Sequence, residues 1–133
     1  MALQDNQMKF HENKGIVNAF KVAVEGMIHG ATTEKNFKVH LSIMVVILLF
    51  ANFLKVSAVE WCIILLTSGM VLVLELMNTA VEATVDLVVG EKIHPLAKIA
   101  KDTAAGAVLL MAIFAIMVGL IIFVPKLMAL LAL

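Results

Sequence analysis

From Thr103 to Val124 the chain carries no charged side chain. Inside hydrocarbon every backbone N–H and C=O must be satisfied within the segment, so a run like this folds as a helix. About 20 residues are enough to cross a bilayer. Two further runs share the property. Residues 41 to 54 are short alone, but extending back to Phe37, with Lys38 snorkelling, gives a span over 37–54. After a short turn through Lys55–Glu60, a third segment starts near Val59, carries Trp61 as an interfacial anchor and stays apolar to Leu74. It continues to Val89, where Gly90 offers a stop. As helix, 59–89 is about 45 Å long, so its far end reaches the headgroup layer. Hydrophobic residues make up 62% of the 133, well above a soluble domain's share. The expected fold is all-α, a single membrane domain with spans at 37–54, 59–89 and 103–124.

Residues 1–13 are polar and aperiodic, and read as a loose tail. Over 15–30, Ile16, Phe20, Val24, Met27 and Ile28 recur at helical spacing opposite Asn18, Lys21, Glu25 and His29. That pattern predicts an amphipathic helix on the bilayer surface. Small residues, Ala104 to Ala107, open the last span and are expected to let neighbouring helices approach closely. Lysines set the orientation. Eight (Lys9, Lys14, Lys21, Lys35, Lys38, Lys92, Lys98, Lys101) lie on the side of the N-terminus and the 90–101 connection, against Lys55 and Lys126 opposite. The N-terminus is therefore expected in the cytoplasm of a multi-pass protein of the inner (plasma) membrane. Arginine is absent and no basic run occurs, so nucleic acid is not an expected partner. Cys62 stands alone, which excludes an intrachain disulfide.

The chemistry concentrates in Glu75-Leu-Met-Asn-Thr-Ala-Val-Glu-Ala-Thr-Val-Asp86. Glu75, Asn78, Glu82 and Asp86 follow at steps of three, four and four, which places three carboxylates and an amide on one helical stripe. Ionisable groups in a span are costly and mark either a site or a contact with a partner helix. Glu75 is the deepest, which suits a general base or a proton carrier. The plainer alternative is a carboxyl satisfied by a neighbouring helix. Glu82 and Asp86 have the spacing to hold Mg²⁺ with phosphate oxygens and water, or to stand as solvated interfacial charges. Lys101-Asp102 is expected to open the last span, with Asp102 as N-cap. The positive helix end with Lys101 beside it then makes a phosphate site, or only a cap and a snorkelling lysine. His94-Pro95 reads as a turn. No Walker A, GxGxxG or kinase signature is present. Two function classes fit the residues: phosphoryl transfer from ATP to a lipid alcohol, or a small oligomeric proton or cation conductor with Glu75 as relay.

Glu75-x-x-Asn78-Thr79-Ala80-x-Glu82-x-x-x-Asp86, followed by Ala100-Lys101-Asp102 and Ala105-Gly106-Ala107-Val108-Leu109, resembles the small prokaryotic diacylglycerol kinase family over roughly residues 15 to 127. The resemblance implies a homotrimer of three-span subunits, each with a surface helix, and active sites between subunits at the cytoplasmic face. It implies ATP and Mg²⁺, a lipid alcohol substrate, and Glu75 as the base on the lipid hydroxyl. Glu34 and Glu82 are the implied Mg²⁺ ligands, with Asn78 and Thr79 in support. Glu34, Glu82, Asp86, Glu91, His94, Lys101 and Asp102 are implied to face ATP, Lys101 on its phosphates. Glu34-Lys-Asn36-Phe-Lys-Val-His40 and His94-Pro-Leu-Ala-Lys-Ile-Ala-Lys-Asp102 resemble the Gram-positive, undecaprenol kinase-like branch. The implied acceptor is therefore undecaprenol, with diacylglycerol the alternative. Two features depart from the diacylglycerol kinase type: a 90–101 connection one residue longer, and Lys14-Gly15 where that type carries an arginine.

Overall fold

The computed structural model describes residues 15–90 and 92–131. Glu91 and the 1–13 segment lie outside the described residues. Four helices follow one another: α1 (Ile16–Thr33), α2 (Lys35–Phe53), α3 (Ala58–Val89) and α4 (Pro95–Leu131). The residues to Thr33 form one unit and those from Glu34 another.

In the first unit, α1 carries Ile16, Phe20, Met27 and Ile28, all more than half exposed. Lys21 and Glu25 stand one turn apart, 3.9 Å between charged atoms. Near its C-terminus the Thr33 hydroxyl donates to the His29 carbonyl at 2.7 Å.

In the second unit, α2, α3 and α4 are each long and apolar enough to cross a membrane. Glu34 precedes α2 in extended conformation, and its side chain makes no capping hydrogen bond. Its carboxylate is therefore not committed to the helix end. The turn between α2 and α3 is built by backbone geometry. Lys55 takes φ 52°, its N–H donates to the Asn52 carbonyl (3.2 Å), and the Val56 N–H donates to the Ala51 carbonyl (3.2 Å). These paired bonds close the helix as a Schellman motif, in which an apolar contact joins the residue past the turn to the last helical turn. Here Val56 and Ala51 are both buried in one cluster. Ser57 then caps α3 reciprocally with Glu60: the Ser57 N–H donates to Glu60 Oε2 at 2.6 Å, and the Glu60 N–H donates to Ser57 Oγ at 3.3 Å. The same Oε2 meets Lys126 Nζ of α4 at 3.0 Å.

At this end Ala51, Val56, Ile64 and Ile122 form a buried cluster, with Trp61 and Phe123 packed against it. Phe50 and Phe123 meet edge to face, centroids 5.1 Å apart. Trp61, expected as an interfacial anchor, is half-buried in that packing.

The last helix differs from its sequence expectation at both ends. It begins at Pro95 instead of 103, because proline is favoured at the first helical position, where its missing N–H is not needed. His94 supplies the cap: its Nδ1 accepts the Leu96 N–H at 3.2 Å and its carbonyl accepts the Lys98 N–H at 3.2 Å. Asp102 is therefore not an N-cap. It lies inside the helix and pairs with Lys98 one turn before it. At the other end Pro125 does not stop α4, which runs on to Leu131. Proline removes one N–H from the ladder, but in apolar surroundings ending the helix would strand several backbone groups. A Cβ at Gly106 would meet no atom of this chain within 4 Å.

Lys55 holds a backbone conformation that costs an L-residue roughly 1–2 kcal/mol. Lys55→Gly is expected to raise stability by about 1 kcal/mol, read as a higher midpoint of thermal unfolding in detergent micelles.

Candidate active site

The polar end of the three-helix unit is where the start of α2, the end of α3 and the start of α4 converge. Along α3 burial falls with position: Glu75 is 4% exposed and Asn78 8%, Glu82 is half-buried and Asp86 exposed. That gradient follows from helical spacing, which keeps the four on one stripe while the helix climbs out of the bundle. Three contacts hold them. His40 Nε2 of α2 lies 3.2 Å from Glu75 Oε1. The Asn78 Nδ2 amide donates to Glu82 Oε1 at 2.9 Å. Lys101 Nζ of α4 lies 2.6 Å from Asp86 Oδ1. Thr79 directs its hydroxyl to the Glu75 carbonyl at 3.1 Å, part of the helix's own bonding.

Between the three helices lies a cavity of about 290 Å³, lined by Asn36 and His40, by Glu75 and Asn78, and by four apolar residues of α4 that include Ala105 and Ala112. Small alanines on α4 leave this space open. Asn78 Oδ1 is buried and meets no hydrogen-bond donor among the described residues. A buried acceptor left without a donor costs about 1–3 kcal/mol, so Asn78, which lines the cavity, would be stabilised by a donor that reaches Oδ1. A second cavity, about 430 Å³ and almost wholly apolar, is lined along α2 and α4 from Ile43 and Phe50 to Phe123 and Leu127. His40 and Ala112 line both.

The sequence-derived candidates are therefore partly assembled. Asn78 and Glu82 are bonded to each other beside the His40–Glu75 contact, and Glu34 and Glu82 lie close enough for their charges to act on Glu75. Asp86 and Lys101 are joined to each other. His94 caps α4, and Asp102 is paired with Lys98 on the outer face of that helix. Among the described residues no group of three or more His, Cys, Asp or Glu side chains is arranged to hold a metal ion. Mg²⁺ needs fewer, since it is commonly held by one or two carboxylates with substrate phosphates and waters. Glu34, uncommitted to a cap, and Glu82, with one oxygen taken by Asn78, are hard donors that fit such a share.

His40 and Asn36 are the site residues that the sequence argument did not assign. The signal was present: a carboxylate as deep as Glu75 needs a partner, and His40 is one of few polar residues in the first span. Chemically the arrangement is a buried carboxylate, one oxygen held by an imidazole, facing a cavity that a hydroxyl can enter. That is the geometry of a general base.

Three helices long and apolar enough to cross a membrane thus carry a cluster of acidic and amide side chains at one end of the unit. Residues 21–123 match the prokaryotic diacylglycerol kinase family. An undecaprenol kinase of Bacillus subtilis is 44% identical over 121 residues, covering 90% of this chain and 98% of that protein. A diacylglycerol kinase of Synechocystis is 45% identical over 112 residues, 84% of this chain. This chain spans 64% of the length of that longer protein. A diacylglycerol kinase of Pseudomonas aeruginosa is 36% identical over 94 residues, 71% of this chain and 76% of its own. The chain belongs to the prokaryotic diacylglycerol kinase family, a family of lipid kinases.

Asn78 sits between two carboxylates, so Asn78→Asp would add an unpaired charge in a buried position. It is expected to lower stability by about 3 kcal/mol, measured by denaturant unfolding in micelles, with Asn78→Ser closer to the parent.

Proposed function

We propose that this protein transfers the γ-phosphate of ATP to the hydroxyl of a membrane lipid alcohol, with undecaprenol as the preferred acceptor. The observation that carries the reading is the pair of adjoining cavities. Glu75 and Asn78, whose Oδ1 meets no donor among the described residues, line the polar one, and the apolar one starts where His40 and Ala112 line both. A lipid alcohol has that form, a hydroxyl on a long apolar chain. The conductor alternative left open by the acidic stripe is disfavoured by membership in an enzyme family.

In this reading Glu75 takes the hydroxyl proton as the lipid oxygen bonds to the γ-phosphorus, and ADP leaves with the electrons of the broken P–O bond. Asn78 Oδ1 accepts from the incoming hydroxyl and its amide holds Glu82. Glu34 and Glu82 would hold Mg²⁺, which would supply neutralisation of the phosphate charge. Lys101 exchanges Asp86 for the phosphates of ATP, and His94 and Asp102 border the nucleotide. The lysine asymmetry favours the cytoplasmic face of the inner membrane, where ATP is available. α1 lies on the bilayer surface through its exposed apolar side chains. The working unit is a homotrimer, in which open space at Gly106 and the exposed apolar faces of α3 and α4 receive neighbouring subunits.

The undecaprenol assignment rests on coverage. The Bacillus relative named for that substrate is matched over nearly its whole length. Diacylglycerol is the second acceptor, since relatives of comparable identity are named for it.

The test is phosphate transfer from labelled ATP and Mg²⁺ by purified protein in micelles, with undecaprenol and diacylglycerol in parallel. Undecaprenol should be phosphorylated faster; faster diacylglycerol turnover would keep the chemistry and replace the acceptor. Glu75→Gln is expected to reduce kcat by about 10²- to 10⁴-fold with the protein still folded. Glu34→Ala and Glu82→Ala should each shift the Mg²⁺ titration to higher concentration, and unchanged titrations would remove them as ligands.

A further inference from the structure

We propose that His40 is a positioning residue for the phosphoryl transfer. It holds Glu75 by one carboxylate oxygen so that the other is presented to the lipid hydroxyl. The inference rests on the lipid-kinase reading and adds to it a residue on a different helix from the acidic stripe.

The geometry is specific. His40 belongs to the second turn of α2, and its Nε2 meets Oε1 of a side chain that is only 5% exposed, while the imidazole itself is 25% exposed. A glutamate has three rotatable bonds, and its terminal torsion is broad, so an unheld carboxylate in a cavity of about 290 Å³ would sample several orientations. The 3.2 Å contact of Nε2 with Oε1 restricts that freedom, and in this proposal the other oxygen is the one offered to the cavity that Asn36 and Asn78 also line. Placing a base within about 3 Å of the proton it takes is a large part of its catalytic value.

The residue type matters too. A lysine at this position would neutralise the carboxylate with a full opposite charge and weaken it as a proton acceptor. An imidazole offers a single N–H toward Glu75 from a rigid ring, so the direction of the contact is fixed. Its place at the junction of the two cavities gives His40 a second contact surface. The ring borders the polar space on one side and the apolar groove on the other. A lipid whose chain lies in the groove would bring its hydroxyl past the imidazole to Glu75.

The decisive variants are His40→Gln, which can offer an amide N–H where Nε2 stands, and His40→Leu, which fills similar volume without a donor. His40→Leu is expected to lower kcat with the lipid alcohol by about a hundredfold, leaving KM for Mg·ATP unchanged, and His40→Gln should recover most of that loss. Parent-like kcat in His40→Leu would overturn the assignment. So would equal losses in both variants accompanied by a changed KM for ATP, because that pattern belongs to a structural role. Full activity in Glu75→Gln would instead remove the underlying reading of Glu75 as base.

The contact can also be tested without turnover. In protein labelled with ¹⁵N-histidine in micelles, the His40 signal, assigned by its loss in His40→Gln, should move in Glu75→Gln and stay in place in Lys101→Gln. A His40 signal indifferent to Glu75→Gln would refute the pairing whatever the activity.

Discussion

A carboxylate carried into an apolar helix bundle is stable only if other groups meet it, and the polar half of this protein is arranged around that requirement at Glu75. Its Oε1 meets His40 Nε2 of α2, and Asn78 and Glu82, one and two turns further along α3, form a second bonded pair toward the solvent end. Asp86 then reaches α4 through Lys101. The three helices thus contribute three separate polar pairs, which place a buried acid, an acceptor amide and outer carboxylates at rising exposure. A lipid kinase needs the same ordering, with a hydrophobic acceptor at the inner end and a highly charged donor at the outer one.

The opposite half of the unit is held differently. There the backbone closes itself through the Schellman bonds at Lys55 and the reciprocal cap of Ser57 with Glu60, and Ala51, Val56, Ile64 and Ile122 pack behind the turn. These interactions are local or apolar and leave few polar groups unmet. The structural burden therefore falls on the turn end, and the site end can carry an open cavity and an acceptor without a donor.

How much of this could be read from residues alone depended on whether the cause was local. The three apolar runs, the stop at Gly90 and the stripe from Glu75 to Asp86 are periodicity and composition, and the helices follow them. The start of α4 was missed because the polar composition of 90–101 resembles a loop. Its own evidence was Pro95 at a first helical position and Lys98 four residues before Asp102, a spacing that only a helix turns into a contact. Pro125 misled in the other direction, since its power to end a helix assumes water for the stranded carbonyls. The turn at Lys55 lacks the glycine that usually announces one. The pairing of His40 with Glu75 joins residues thirty-five apart, and no local pattern encodes it.

The ion pairs Glu60–Lys126 and Asp86–Lys101 sit at the two ends of the α3–α4 contact. Between Glu60 and Asp86 the helix rises about 39 Å, while hydrocarbon accounts for about 30 Å. Counted from the Glu60 end, that thickness runs out near Ala80, which leaves Glu75 between one and two turns below the boundary. The two pairs thereby act as a depth gauge. They fix the axial register of the helices, so the distance from water to the Glu75 carboxylate is set by the thickness of the bilayer the protein occupies.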